Sequence, residues 1–310
     1  MNNDLKRLLE SLGINWVWWQ WRWIRFKDRF TRALSPEGNF FRRLSSKHKI
    51  CRCGSLAAGH QRKCELCGRS LPSSSAWFVY RLFGLIAPRF APATVLLSAL
   101  ISVAFGLTIM HGGWESLLRP TGEVLFNMGA LYSPAIHGGQ WWRLLTCMFL
   151  HIGIIHFGFN MMVLLNISTF LEEEIGSTRY FCVYLLSGVG GSLASAFLRP
   201  YPILSAGASG ALFGLIGFSI VYFHRLKSAR GREVKEFMVR WAIYGFVFGL
   251  FIGADNLAHL GGLVFGMLLG ALMEQRLAAR SKREPFWRTL TALLVLALAL
   301  AFVMAARSMT

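Results

Sequence analysis

Residues 256–273 read NLAHLGGLVFGMLLGALM, a run with no Lys, Arg, Asp or Glu that carries four glycines and a single histidine. At ~1.5 Å per residue a helix of this length nearly crosses a ~30 Å hydrocarbon layer. Six other stretches are similarly poor in charge: 90–114, 144–171, 180–198, 200–224, 237–254 and 289–306, interrupted only by Arg240. Seven transmembrane helices are therefore expected. A membrane β-barrel would instead alternate apolar and polar residues over roughly ten-residue segments.

The composition points the same way. Of 310 residues, 54% are hydrophobic and only 15% charged, with 33 Lys and Arg against 15 Asp and Glu. The mean hydropathy is +0.45. Soluble domains carry roughly 25% charged residues, and disordered chains are poor in apolar ones. A nucleic-acid-binding protein can be this basic but not this apolar, so no nucleic-acid partner is expected. The basic residues cluster as in a polytopic membrane protein. About half of the Lys and Arg lie in residues 1–89, and further groups lie in 225–240 and 276–288. The other side receives Arg119, Arg143, Arg199 and Arg307. The N-terminus and the loops after the second, fourth and sixth helices are expected in the cytoplasm, and the C-terminus outside, in a bacterial inner membrane. No early apolar run with a cleavage site marks a signal peptide.

Three regions follow: 1–89, a cytoplasmic N-terminal region; 90–275, a six-helix core; and 276–310, a basic loop with the seventh helix. The outer segment 115–143 is apolar for a loop, which suits the bilayer interface. Residues 15–30, NWVWWQWRWIRFKDRF, place Trp16, Trp19, Trp23, Phe26 and Phe30 at helical spacing. That pattern fits either an interfacial amphipathic helix or the aromatic core of a small soluble domain. Cys51, Cys53, Cys64 and Cys67, two of them followed by Gly, have the makings of a structural zinc knuckle. His48 or His60 could replace one ligand. A reducing cytoplasm makes a disulfide the poorer account. Four thiolates leave no open position for catalytic zinc. Cys147 and Cys182 read as packing residues.

Ionisable groups inside a bilayer are costly. His156, Ser209 and His259 nevertheless sit on three different helices at matching depths. Counted from the inner ends at Glu172, Arg225 and Glu274, they lie about 24, 24 and 22 Å up. A serine, a histidine able to take its proton and further donors at one level make an acyl-transfer site. Ser209 opens its helix after Pro200 and Pro202, so free amides there face an incoming anion. Gly207 and Gly210 admit a substrate backbone. Residue 211 is Ala, so the G-x-S-x-G elbow of α/β-hydrolases is absent. Asp255, one turn before His259, reads as a helix N-cap, which leaves a Ser–His dyad.

These residues resemble the rhomboid intramembrane serine proteases. The likeness runs from about 129 to 274. It comprises Gly129-Ala130-Leu131, Trp142-Arg143, His151…His156…Asn160, Glu172 ahead of Gly176, Gly207-Ala208-Ser209-Gly210, and Asp255-Asn256-x-Ala258-His259-x-Gly261-Gly262. It implies an all-α polytopic membrane fold with a six-helix core plus one C-terminal helix. It implies Ser209 as nucleophile, His259 as general base, and His156, Asn160 and the Ser209 amide as an oxyanion hole, with the Ala208 amide as an additional donor. Gly262 and Gly266 would let the fourth and sixth helices touch, and Trp142-Arg143 would anchor the outer loop. His151 reads as structural. Phe213 stands where the family often has Tyr; it can still pack on His259. The expected activity is endopeptidase cleavage of transmembrane protein substrates near their outer end, within the lipid bilayer. The rival is a catalytically silent relative that binds transmembrane clients. The N-terminal region lies outside the likeness, and a cytoplasmic partner for it would fit.

Overall fold

The structure is a computed structural model that describes residues 48–50, 56–58, 61–66, 68, 71, 91–275 and 277–308. The chain divides into two compact units, Met1–Pro88 and Arg89–Thr310. In the first, β1 (His48–Ile50) pairs antiparallel with β2 (Leu56–Ala58). Cys64 is buried against Leu71, and its carbonyl accepts the Gly68 amide at 2.8 Å. Cys51, Cys53, Cys67 and the Trp-rich segment 15–30 lie outside the described residues.

The second unit contains seven long helices. These are α1 (Pro92–Gly112), α5 (Ile154–Ile175), α6 (Ser177–Leu198), α7 (Ser209–Arg225), α8 (Ala229–Ile252), α9 (Asn256–Leu272) and α10 (Leu277–Arg307). Between α1 and α5 lie α2 (Gly122–Asn127), β3 (Leu131–Tyr132), α3 (Ser133–His137) and α4 (Arg143–Thr146); β4 (Leu204–Ser205) precedes α7. By length and composition α1, α5, α6 and most of α10 can cross a membrane, and α9 is apolar but shorter. The fold is an all-α polytopic membrane protein with a six-helix core and one additional C-terminal helix.

Two spans begin later than their charge-free stretches. The run 144–171 starts as α4 and a short 3-10 turn, then extends through Leu150 and turns at Gly153, whose φ is +101°. His151 therefore precedes α5. The run 200–224 turns helical only at Ser209, because Pro200 and Pro202 hold the chain extended and Leu204–Ser205 pair with Leu131–Tyr132. The seventh helix is longer than its apolar stretch and takes Pro285 into its first turns.

The most enclosed helix is α7, buried among α6, α8 and α9. Its contact with α9 is backbone on backbone. A Cβ at Gly262 would run into the Gly210 carbonyl oxygen, and one at Gly266 into that of Gly214. With no hydrophobic drive between helices in lipid, such close contact supplies the packing. At one end of the bundle the buried Glu172 accepts from the Ala93 amide (2.9 Å), the Thr94 amide (2.8 Å) and the Thr94 hydroxyl (2.7 Å). It thereby caps α1, whose first turn otherwise has open donors. The last helix, α10, packs on α6 and α4. Its Thr291 hydroxyl meets the Cys182 thiol at 3.3 Å, and Phe302 meets Phe149 edge-on.

Candidate active site

Ser209 is the first residue of α7 and His259 lies in the first turn of α9. The glycine contact between these helices brings Ser209 Oγ to 2.9 Å from His259 Nε2, within the roughly 2.6–3.2 Å that proton transfer needs. Phe213, one turn along α7, stacks on the imidazole with centroids 4.3 Å apart. Phe246 of α8 meets the same ring edge-on at 6.1 Å. The other ring nitrogen, Nδ1, is 3.0 Å from Asn256 Oδ1.

Gly207 sits at φ +152° and its amide donates to the Cys147 carbonyl at 2.9 Å, which ties the approach to α7 onto the turn after α4. A Cβ here would come within 2.7 Å of the His156 ring, so that ring lies directly over the backbone beside Ser209. His156 Nδ1 accepts the Ile152 amide at 3.4 Å. A neutral imidazole bears one hydrogen, so this bond puts it on Nε2, on the side of Gly207 and Ser209. The Ser209 amide opens α7 and is free of an intrahelical partner by position. Asn160 is buried and donates to the His156 carbonyl at 2.9 Å. It stands behind His156 and does not line the cavity. That cavity, about 110 Å³, reaches from Ser209, Gly210 and His156 down to Met148, Gly188 and Ser192.

Arg143 is almost fully buried. Its guanidinium donates to the carbonyls of Phe126 (2.6 Å) and Ala130 (2.9 Å) and to Gln140 Oε1 (2.6 Å), and it lies over the Phe126 ring. The Thr146 hydroxyl donates to the Gly129 carbonyl at 2.6 Å. Together they pin residues 126–130 to α4, and Trp142 is buried as well. Trp114 and Leu118, ahead of α2, are exposed.

Asp255 N-caps α9 through the Ala258 amide at 3.2 Å, pairs with Arg199 at 2.7 Å and accepts the Ser195 hydroxyl. Burial opposes its charge, but hydrogen bonds from Ser195, Ser205, the Ala258 amide and Arg199 outweigh that and hold its carboxyl below the usual range. Its oxygens accept from Ser195, Arg199 and the Ala258 amide, while His259 Nδ1 meets Asn256. The partners of Asp255 and the contact of Asn256 with His259 are not evident from composition. The i, i+3 spacing of Asn256 and His259 on one helix is the signal that could have revealed the second. Among the described residues no group of His, Cys, Asp and Glu is placed to hold a metal ion.

Residues 138–276, which contain both histidines, Ser209 and the α7–α9 contact, match the Rhomboid domain family. The chain belongs to the rhomboid family. It is 36% identical over 211 residues to Rhomboid protease GluP of Bacillus subtilis, a match covering 68% of this chain and 39% of that protein. It is 38% identical over 171 residues to RHOMBOID-like protein 1 of Arabidopsis thaliana, covering 50% and 40%. It is 35% identical over 157 residues to Rhomboid-like protease 3 of Toxoplasma gondii, covering 49% and 59%. The chain thus covers less than two thirds of the length of these curated relatives. The family match is the part of the chain that carries the site.

Proposed function

We propose that this rhomboid is an intramembrane serine endopeptidase that hydrolyses transmembrane protein substrates through Ser209 and His259. The observation that carries the reading is the 2.9 Å contact of Ser209 Oγ with His259 Nε2 at the mouth of a cavity within a membrane-spanning bundle. A serine hydroxyl is a weak nucleophile until a base takes its proton. As Oγ attacks the scissile carbonyl carbon, the proton passes to Nε2 and negative charge develops on the carbonyl oxygen. The Ser209 and Ala208 amides and His156 Nε2–H are the donors for that oxygen, and Asn160 joins them only by leaving the His156 carbonyl. Each such donor contributes roughly 10²–10³ in rate. The imidazolium then protonates the departing amine, and the acyl-enzyme is hydrolysed by a water that His259 activates in turn.

A helical substrate must unwind before a carbonyl can reach Ser209. Segments with Gly, Ala, Ser or Pro near their outer end are the expected substrates. The site lies toward the outer surface if the basic segments mark the cytoplasm, and a bacterial inner membrane fits that orientation. For the N-terminal unit the proposal is a structural zinc ion on Cys51, Cys53, Cys64 and Cys67 and an accessory role, such as docking a cytoplasmic partner.

The test is cleavage of a single-pass substrate in liposomes by wild type, Ser209→Ala and His259→Ala. Loss of roughly 10⁴-fold or more in both variants is expected. Equal cleavage by all three would overturn the dyad. If none cleaves, fluorophosphonate labelling of wild type but not Ser209→Ala would point to an unsuitable substrate, and no labelling to a silent, client-binding relative.

A further inference from the structure

We infer that Asn256 is a positioning residue, holding His259 in the tautomer and ring orientation that leave Nε2 open to the Ser209 proton. The inference rests on the dyad reading above. Asn256 is the first residue of α9 and His259 stands one turn on, so both project from one helix face. Nε2 can take the Ser209 proton only through a free lone pair. The single hydrogen of the neutral ring must then sit on Nδ1, and inside the protein that N–H needs an acceptor. Asn256 Oδ1, at 3.0 Å, is that acceptor.

The other groups around the ring cannot do this. Phe213 and Phe246 confine its plane but offer no acceptor, so they do not distinguish the working orientation from one flipped by half a turn. Asp255 is engaged by Ser195, Arg199 and the Ala258 amide. His156 lies against Gly207, and its Nδ1 is taken by the Ile152 amide.

Asn256 is itself held in place. Gly249 near the end of α8 comes so close that a Cβ there would collide with Asn256 Oδ1. The Gly249 carbonyl also takes the Ala254 amide at 2.8 Å, which fixes the turn leading into α9. Any side chain at 249 therefore displaces the acceptor without touching His259 or Ser209.

The experiment measures kcat, KM and thermal stability for full-length wild type, Asn256→Ala, Asn256→Asp, Gly249→Ala and Ser209→Ala in liposomes with a single-pass substrate. Asn256→Ala is expected to lose about tenfold or more in kcat with KM within about twofold of wild type. Asn256→Asp, which keeps an acceptor oxygen at the same reach, should recover most of that loss. Gly249→Ala should reproduce the alanine phenotype in weaker form. Wild-type kcat in Asn256→Ala overturns the inference. So does a loss that Asn256→Asp fails to recover, since that identifies a packing role. If Ser209→Ala is dead while Asn256→Ala is fully active, only this inference falls. If Ser209→Ala is active, the dyad reading falls with it.

Discussion

Gly262→Ala tests whether the α7–α9 contact sets the catalytic distance. A Cβ at residue 262 would lie about 1 Å inside the 3.0 Å limit that real Cβ contacts keep, and the atom it meets is the backbone oxygen of Gly210. A backbone oxygen in the first turn of a packed helix cannot swing aside, so α9 must retreat by about 1 Å. Ser209 and His259 are on either side of that same contact. Their 2.9 Å hydrogen bond would stretch toward about 3.9 Å, beyond the range for proton transfer. A misplacement of about 1 Å costs on the order of 10²-fold in rate, and the overpacking itself costs about 1–3 kcal/mol of stability. The assay is initial-rate cleavage in liposomes alongside thermal unfolding of the purified protein. Gly106→Ala is the control, because a Cβ there meets nothing within 4 Å. A folded Gly262→Ala enzyme that cleaves within about threefold of wild type would refute the argument that backbone contact, and not side-chain packing, fixes the dyad.

Three further outcomes are expected. Asp255→Asn should lower the melting temperature at pH 7. Because the folded carboxyl ionises below its ordinary 3.8, its stabilisation is present above that value and disappears as pH falls through the lower folded one. The gap between variant and wild type should therefore close in that acid window, and a gap independent of pH rejects the assignment. Glu172→Ala removes all three acceptor contacts at the start of α1 and should cost at least about 2 kcal/mol in unfolding measurements; an unchanged unfolding midpoint would mean water serves those donors equally well. The full chain should carry zinc by elemental analysis and lose it in Cys64→Ser, and a zinc-free wild type purified without chelator would reject the knuckle.

Charge placement made the seven long helices legible, because burying an ionised side chain in hydrocarbon is expensive enough to empty each span of them. The starts of α5 and α7 were less so. Residues 144–153 are as apolar as the helix they precede. What ends their helical course is a positive φ at Gly153 and an extended Leu150, which hydropathy does not register. The proximity of Ser209 to His259 could be anticipated from matched depth and the glycines between their helices. The contact of Asn256 with His259 was less legible despite their i, i+3 spacing, since an asparagine opening a helix reads first as part of a cap. Glu172 marked an inner boundary in the sequence; that its carboxylate reaches a helix start 78 residues earlier emerges only from the packing of α5 on α1. Arg143 likewise looked like an interfacial anchor. Its role as a donor to two loop carbonyls depends on the fold of 122–137 around it.

The cap on α1 also bears on the order of events during synthesis. The amides it satisfies leave the ribosome nearly eighty residues before the carboxylate that satisfies them, the separation from Ala93 being 79. On a nascent chain the leading turn of α1 therefore lacks these acceptors until residue 172 has been added, so the cap on α1 depends on a residue near the far end of α5.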